Sequence, residues 1–288
     1  MLNTILQLAI SGAALGFVYA LVGIEYSLIW NATGLLNFSH DKIITLGAYI
    51  VAGIFFTRMG LPVPVSFVLS VIVMVVVGVL MAMIILNPLR KMTTIFTIMG
   101  TILFGRIIYE VIRLVYGSRP FTISGLMSGT FHIGSLAVAK TNVYMIVIAG
   151  VVVAALQIFM QTTKTGKAMR CVSQNKKASE LMGINVKQNI CITAAISSVI
   201  CLIIGFMVIP LYNVTLTMAS MIGLKGFAAG VVGGFGYLPG CIVGGIVVGL
   251  IESASVLVIP SVYKDAVAFL VLIVFLLIKP SGIMGKKA

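Results

Sequence analysis

Charged residues are scarce in this sequence. Aspartate and glutamate together number six, lysine and arginine 19, and all four make up 9% of the 288 residues. A soluble globular domain carries about 25% charged residues, so water is not the main solvent of this chain. The mean hydropathy of +1.21 and the 60% of apolar residues agree with that exclusion. We therefore expect an integral membrane protein.

The residues that build metal, nucleotide and catalytic sites are also few. The two histidines, His40 and His132, and four cysteines without a CxxC spacing offer neither a metal-ligand set nor a Ser/His/Asp constellation. The phosphate-binding pattern GxxxxGK followed by Ser or Thr is absent. We expect no catalytic residues, no metal and no cofactor, and a chain that is not itself an ATPase.

The excess of basic residues gives a formal net charge of +13. Such a charge can indicate a nucleic-acid binder, but here Lys and Arg lie between apolar runs of span length, which is typical of cytoplasmic loops in membrane proteins. We expect a lipid bilayer as the surroundings of this chain, and no nucleic acid as a partner.

Nine apolar runs approach the length needed to cross a bilayer. A spanning helix needs about 20 apolar residues, because each rises about 1.5 Å through a core about 30 Å thick. The runs are 4–30, 43–57, 64–86, 95–115, 143–160, 190–209, 214–235, 238–258 and 265–278. Several are short or broken by glycine, so the sequence predicts an all-α, polytopic transmembrane bundle of eight or nine spans, folded as a single domain over 1–288.

The distribution of Lys and Arg predicts the orientation. Connections 31–42, 87–94 and 161–189, with the tail from Lys279, hold twelve basic residues, whereas 58–63, 116–142 and 259–264 hold four. Because basic loops stay in the cytoplasm, the first set is predicted to be cytoplasmic, with the C-terminus inside and the N-terminus outside. The first run lacks a basic region before it and a small-residue cleavage site, so we expect it to be retained as a span.

Two segments interrupt the apolar pattern. Residues 33–47 break the first apolar region, and the stretch from Met221 to Gly245 is rich in glycine. Glycine allows close helix packing, and it also tolerates a broken helix at membrane depth beside protein or water. Both explanations stay open, but interrupted segments in two halves of a chain are typical of transporter binding sites. We therefore expect discontinuous or re-entrant elements beside a translocation path.

The connection from Thr163 to Asn189 is the most informative polar stretch. Gly166 is predicted to break the preceding helix, Lys167–Met182 to form a short amphipathic helix, and Gly183 to end it as a C-cap. A basic loop alone signals only a cytoplasmic location. A capped helix between two long spans is also suited to docking in a groove of a partner.

Three stretches carry a resemblance to a known family. They are GLLNFSHDKIITLGAY from Gly34, GKAMRCVSQNKKASELMGINV from Gly166 and GLKGFAAGVVGGFGYLPGCIVGGIVVGLIE from Gly223. In this order and approximate spacing, they resemble permease subunits of branched-chain amino acid ABC transporters, the high-affinity leucine, isoleucine and valine importers. The resemblance runs from the first span to the last.

The resemblance implies a bacterial inner-membrane, multi-pass subunit that forms the translocation path for branched-chain or related amino acids. Coupling to separate ATPase subunits would supply the energy. The implied partners are a second permease subunit, two cytoplasmic ATP-binding subunits and an extracytoplasmic substrate-binding protein.

The resemblance also implies roles for individual residues. The basic loop would be the coupling helix that contacts the ATPase, through Gly166, Lys167, Arg170, Gln174, Asn175, Ala178, Met182 and Gly183. Residues expected in the translocation path are Asn37, Ser39, His40, Lys225, Gly226, Gly233, Gly234, Gly236 and Glu252. The chain departs from the family after His40, where Asp41 and Lys42 replace a glycine and an acidic residue, so the resemblance assigns these two no role.

Charged residues within the apolar runs allow two interpretations. Arg106, Glu110 and Arg113 have i, i+4 and i, i+3 spacing on one predicted helix, so we expect an ion-pair stripe near its outer end rather than substrate contact. For Glu25 and Glu252, an interfacial position and a role in the path are both open.

Other functions remain to be weighed against an amino acid importer. Permeases for urea or short-chain amides would look similar. A secondary transporter driven by an ion gradient would need several charged relay residues inside the membrane, and few are present. A membrane-embedded enzyme would need a catalytic set that this sequence does not have.

Overall fold

The apolar runs form helices in the structure, a computed structural model that describes residues 2–89, 92–123, 129–133, 136–279 and 281–285. Up to residue 116 the elements are α1 (Leu2–Thr33), α2 (His40–Ala48), a π-helical stretch (Tyr49–Arg58), α3 (Val63–Met81), a π-helical turn (Ala82–Leu86), α4 (Asn87–Leu89) and α5 (Thr94–Tyr116).

The second part of the chain begins with a β-hairpin. Strand β1 (Thr130–Ile133) pairs antiparallel with β2 (Leu136–Ala139), with Thr130 opposite Ala139. The helices that follow are α6 (Lys140–Thr162), α7 (Lys164–Gln174), α8 (Lys176–Leu181), α9 (Val186–Val208), α10 (Ser220–Gly233), α11 (Leu238–Ser255) and α12 (Lys264–Ile278), with one 3-10 turn (Ser261–Tyr263) before α12.

Seven helical stretches of the described chain are long and apolar enough to cross a bilayer. They are Asn3–Thr33, Val63–Leu89, Ile95–Tyr116, Lys140–Thr162, Val186–Val208, Leu238–Ser255 and Ser261–Ile278. The other two apolar runs form the helical stretch from His40 to Arg58 and the 14-residue helix α10. The prediction of a polytopic, all-α membrane protein is confirmed, with one short hairpin among the described residues. The predicted count of eight or nine crossings stays a prediction, because two of the nine runs form helices outside the seven candidate spans.

The chain divides into two compact units. Unit 1 comprises Met1–Ser27, Ile123–Val153 and Met221–Ala288, and unit 2 comprises Leu28–Thr122 and Ala154–Ser220. The expectation of one permease domain over 1–288 stays a prediction. Four basic residues that count toward the predicted orientation, Arg90, Lys91, Lys286 and Lys287, lie outside the described residues.

Glycines bring the helices of unit 1 into backbone contact. A Cβ added to Gly245 would lie 2.5 Å from the carbonyl oxygen of Gly16, and one added to Gly249 would lie 2.4 Å from that of Gly12. Real Cβ atoms do not approach this closely, so α1 and α11 pack at a distance that only glycine permits. Lipid gives little hydrophobic driving force between helices, and such close van der Waals packing is what holds them together.

Unit 2 is built around α9, which is the most buried of the candidate membrane spans. Gly205 of α9 packs on α2, where a Cβ would lie 2.6 Å from the carbonyl oxygen of Ile44. On α3, a Cβ at Gly78 would lie 2.5 Å from the carbonyl oxygen of Ala194 in α9. Helices α2 and α3 therefore both contact α9 through small residues, which fixes the level of α2 along the bundle.

Candidate coupling segment and translocation site

The basic connection forms two short helices, so the prediction of a single helix over Lys167–Met182 is wrong. Helices α7 and α8 are separated by Asn175, whose backbone is extended, with φ −154° and ψ 106°. Its Oδ1 accepts a 3.0 Å hydrogen bond from the amide of Ala178 and so caps α8. An asparagine side chain competes for backbone hydrogen bonds and favours a cap over a helix interior, which explains the break.

The break between α6 and α7 lies at Thr163. This residue has φ −82° and ψ 150°, and its Oγ1 accepts a 2.9 Å hydrogen bond from the amide of Gly166. Gly166 lies inside α7, so the prediction that it breaks the preceding helix is wrong. Its missing side chain serves packing instead, because a Cβ there would lie 2.3 Å from the carbonyl oxygen of Phe159.

The end of α8 presents two large apolar side chains to the surroundings. Leu181 is 90% exposed and Met182 is 80% exposed. Gly183 then turns the chain with a φ of +83°, as predicted for a C-cap glycine. These two side chains form a small exposed apolar surface within a polar connection.

The remaining residues predicted for coupling also face outward. Helix α7 is anchored on its inner side by Met169 and Val172, which are buried. Gly166 is buried as well. The other seven residues predicted for coupling are exposed: Lys167, Arg170, Gln174, Asn175, Ala178, Met182 and Gly183. Seven of the eight predicted residues therefore lie on one accessible segment.

A lysine ties this segment to the end of α1. The Nζ of Lys176, the first residue of α8, donates a hydrogen bond to the carbonyl oxygen of Thr33. The carbonyls of a final helical turn have no partner within their helix and attract cations, so this contact is favourable for α1. Helix α8 is thus linked directly to Thr33 at the end of α1.

The predicted interruption after α1 is a buried turn in unit 2. Gly34 has a φ of +72°, which ends α1, and α2 begins at His40. Between them, Oδ1 of Asn37 accepts hydrogen bonds from the amide and the hydroxyl of Ser39, at 3.1 and 2.6 Å. Asn37, Ser39 and His40 are all buried. The structure brings these three predicted path residues together at the start of α2.

A buried ion cluster occupies unit 1. The Nζ of Lys225 in α10 lies 2.7 Å from Oε1 of Glu252 in α11 and 2.6 Å from Oδ1 of Asp265 in α12. The hydroxyl of Tyr19 in α1 donates a 2.9 Å hydrogen bond to the second carboxylate oxygen of Glu252. A charged residue at a helix centre in lipid costs about 2.5 to 3.5 kcal/mol, and this pairing is what permits Lys225 and Glu252 to be buried.

The glycines of the glycine-rich stretch serve both purposes left open by the sequence. A Cβ at Gly226 would lie 2.3 Å from Val22, and one at Gly233 would lie 2.0 Å from the carbonyl oxygen of Gly240, so these two permit close packing. Gly234 and Gly236 have φ of +113° and +86° and form the turn between α10 and α11. The helix break expected in this stretch is therefore at 234–237.

The ion pairs expected on α5 are present, but they begin at Arg106, near the middle of the Ile95–Tyr116 span, rather than near its end. Glu110 lies 3.4 Å from Arg106 and 2.7 Å from Arg113, measured between carboxylate oxygen and guanidinium nitrogen. Arg106 and Arg113 are more than half exposed, and Glu110 is about one-third exposed. Unlike the cluster of unit 1, this stripe is open to its surroundings.

Comparison with known proteins decides the family. The sequence model of the family described as the permease component of branched-chain amino acid transport systems matches residues 8–276. The chain belongs to this permease family. No solved structure matches the permease.

Named relatives match the permease along nearly their whole length. The high-affinity branched-chain amino acid transport system permease protein LivH of Escherichia coli K12 is 28% identical over 294 residues, which cover 98% of this chain and 96% of the relative. BraD of Pseudomonas aeruginosa, with the same description, is 29% identical with the same coverage. A probable LivH of Methanocaldococcus jannaschii is 25% identical, covering 92% and 88%.

Family membership fixes the class of the protein. The permease is the membrane component of an ABC transport system, and this family lacks an ATPase domain, so the ATPase must be a separate subunit. Such a system implies ATPase and binding-protein partners. The permease is a multi-pass protein homologous to bacterial inner-membrane permeases, as the resemblance predicted.

Sequence reasoning missed two residues of the buried cluster in the permease. Asp265 opens the last apolar run, and its acidic charge there was the one signal that could have found it. Tyr19 gave no such signal, because a tyrosine in a spanning helix is unremarkable in sequence. Both meet Lys225 only through the packing of α1 and α12 against α10.

Proposed function

We propose that the permease moves branched-chain amino acids across the inner membrane, as one half of a permease pair in an ABC importer. Two cytoplasmic ATP-binding subunits drive it, and an extracytoplasmic substrate-binding protein delivers the amino acid. The family match over residues 8–276 and relatives named for branched-chain amino acid transport support this assignment.

The exposed end of α8 is the observation that carries the coupling role. Leu181 and Met182 are 90% and 80% exposed at a capped helix end, on the side of the membrane that the basic residues predict to be cytoplasmic. We assign residues 164–183 as the coupling segment. Its two apolar side chains fill a pocket of the ATPase subunit, and the predicted residues from Lys167 to Gly183 surround them.

Rigid attachment lets the coupling segment transmit motion. Helix α7 sits directly on the end of α6 through Gly166, while Lys176 holds the end of α1 through Thr33. A displacement of the segment by the ATPase is therefore passed to the cytoplasmic ends of two spanning helices. The contact through Gly166 is between backbones, and only the contact with Thr33 runs through a flexible side chain, that of Lys176.

The residues proposed for the path lie at broken elements, one within each unit. In unit 2 this is the turn of Asn37, Ser39 and His40, from which α2 begins. In unit 1 it is the turn from Gly233 to Gly236, while Lys225, Gly226 and Glu252 hold the preceding helix in place. Broken helices at membrane depth are stable only beside protein or water, which favours a place next to the path.

Uptake by the reconstituted complex tests the proposal. Proteoliposomes that contain the permease pair, the ATP-binding subunits and the binding protein should accumulate leucine, isoleucine or valine in the presence of ATP. Urea and acetamide should not be accumulated. Preferred uptake of urea or acetamide would replace the amino acid assignment, and uptake by the permease without ATPase subunits would favour a gradient-driven transporter.

A further inference from the structure

Helix α2 begins level with the middle of a membrane span. Gly105 lies ten residues after Ile95 and eleven before Tyr116, the ends of the α5 span. At about 1.5 Å per residue it is about 15 Å from either end. A Cβ at Gly105 would lie 3.2 Å from the Cα of Ser39, the residue just before α2. The first turn of α2 is therefore at mid-membrane depth. Lys42, in this turn, was counted with the cytoplasmic connection 31–42, so that part of the predicted orientation is corrected and eleven basic residues remain on the cytoplasmic side.

Polar side chains of both charges gather at this level. The Nζ of Lys42 lies 2.7 Å from the carboxylate of Asp41 and donates a 3.1 Å hydrogen bond to Ser220, whose hydroxyl donates at 3.0 Å to Asp41. Lys42 and Arg106 both lie against the ring of Tyr109, at 5.6 and 4.8 Å from its centre. We call these five residues, all in unit 2, the mid-membrane cluster.

The cluster is accessible rather than buried. The side chains of Asp41 and Lys42 are 21% and 19% exposed, and that of Arg106 is 67% exposed. Glu110 and Arg113 extend the polar surface along α5 toward Tyr116. Ionisable side chains at this depth face protein or a water-filled cavity, because lipid cannot solvate them. The surroundings of this surface are therefore polar.

We infer that the mid-membrane cluster lines the translocation path and contacts the zwitterionic backbone of an amino acid in transit. Lys42 and Arg106 donate to the α-carboxylate, while Asp41 and Ser220 accept from the α-ammonium. The ring of Tyr109 offers an apolar surface to the side chain. The inference rests on the proposed function and names the part of unit 2 that touches the substrate.

The geometry suits passage better than retention. Asp41 and Lys42 satisfy each other when no solute is present, so a solute must exchange one of these contacts for its own. The N-terminus of α2 points to the same place and adds a favourable potential for a carboxylate. A pathway needs binding that is favourable enough for entry and weak enough for release, which such an exchange provides.

Exchanging the two charged side chains separates substrate contact from structure. In the double variant Asp41→Lys/Lys42→Asp, the ion pair and its contact with Ser220 can re-form, so a purely structural pair is restored. A substrate contact is not restored, because both charges have moved. We expect leucine uptake per assembled complex in proteoliposomes to fall about ten-fold or more in the double variant and in Lys42→Met.

Thiol labelling tests the water path without altering any charge. Ile102 lies one turn before Arg106 on the same face of α5, and Val111 lies five residues after it, about 140° round the helix. They are 47% and 49% exposed, and Val111 is nearer to an end of the span. In a cysteine-free permease within the complex in nanodiscs, Ile102→Cys should react with a small cationic thiosulfonate about ten-fold or more faster than Val111→Cys, because the thiolate forms in water.

The outcomes distinguish this inference from the proposed function. Near wild-type leucine uptake by the double variant, or labelling at Ile102→Cys no faster than at Val111→Cys, overturns the cluster assignment and leaves the proposed function standing. If the wild-type complex imports no branched-chain amino acid, the proposed function fails, and the substrate contact fails with it. Slow uptake together with fast labelling at Ile102→Cys supports the inference.

Discussion

The ammonium group of Lys225 lies 2.7 Å from the carboxylate of Glu252, and both side chains are at most 5% exposed. With Asp265 at 2.6 Å, this pair joins three consecutive helices of unit 1, α10, α11 and α12. Neither charge has access to bulk water, so each depends on the other. The cluster thus links these three helices through a buried charge network.

Removing the cation should destabilise unit 1. In Lys225→Met, two carboxylates remain within a site that no longer holds a positive charge, and breaking a buried pair costs roughly 3 to 5 kcal/mol. We expect a markedly lower midpoint of thermal unfolding for the purified permease. The double variant Lys225→Met/Glu252→Leu should recover part of the loss, because it removes the buried charge left behind. An unchanged midpoint in Lys225→Met would show that the ion cluster does not stabilise the fold.

A pair of glycines tests close helix packing in unit 1. A Cβ added to Gly249 would lie 2.4 Å from the carbonyl oxygen of Gly12, whereas a Cβ added to Gly150 would meet no atom within 4 Å. Gly249→Ala should destabilise the permease by about 1 to 3 kcal/mol through overpacking. Gly150→Ala should be neutral or stabilising by up to about 1 kcal/mol, because alanine favours a helix. Thermal unfolding of both variants measures the contrast, and equal midpoints would contradict it.

The sequence predicted that α1 and α11 are helices, but not which glycines bring them into contact. The apolar runs predicted the helices, since span length follows from bilayer thickness, and the density of glycine predicted close contact or a break. Which glycine does which depends on partners elsewhere in the chain. Gly233 meets Gly240, while Gly234 turns the backbone with a φ of +113°.

The coupling segment shows where local sequence signals compete. Gly183 acts as the predicted C-cap, but Gly166 does not break a helix, because Thr163 does so one turn earlier and caps α7. Asn175 divides the predicted helix by capping α8, a preference that the apolar periodicity alone does not reveal. The sequence did not pair Lys225 with Glu252 or Asp265, because these residues are 27 and 40 positions away from it.

The orientation can be tested by two exposed positions on opposite sides. In a cysteine-free permease, Ser173→Cys on α7 should resist an impermeant thiol reagent in intact cells, because the basic connections predict a cytoplasmic location. Val262→Cys, which replaces a side chain that is 84% exposed between α11 and α12, should react. Permeabilised cells provide the control, in which both positions should react. Labelling of Ser173→Cys in intact cells would reverse the predicted topology.

Ligand-stimulated ATP hydrolysis tests the central claim, that this permease is driven by a separate ATPase through residues 164–183. Ala178 is exposed on α8 beside Leu181 and Met182, so Ala178→Glu places a charge where a partner surface must exclude water. Ala178→Ser is the matched control, because it adds one small polar group and no charge. The measurement compares hydrolysis by the full complex in liposomes, with and without leucine-loaded binding protein. We expect stimulation in wild type and Ala178→Ser but not in Ala178→Glu. Normal stimulation and leucine uptake in Ala178→Glu would contradict the coupling role of residues 164–183.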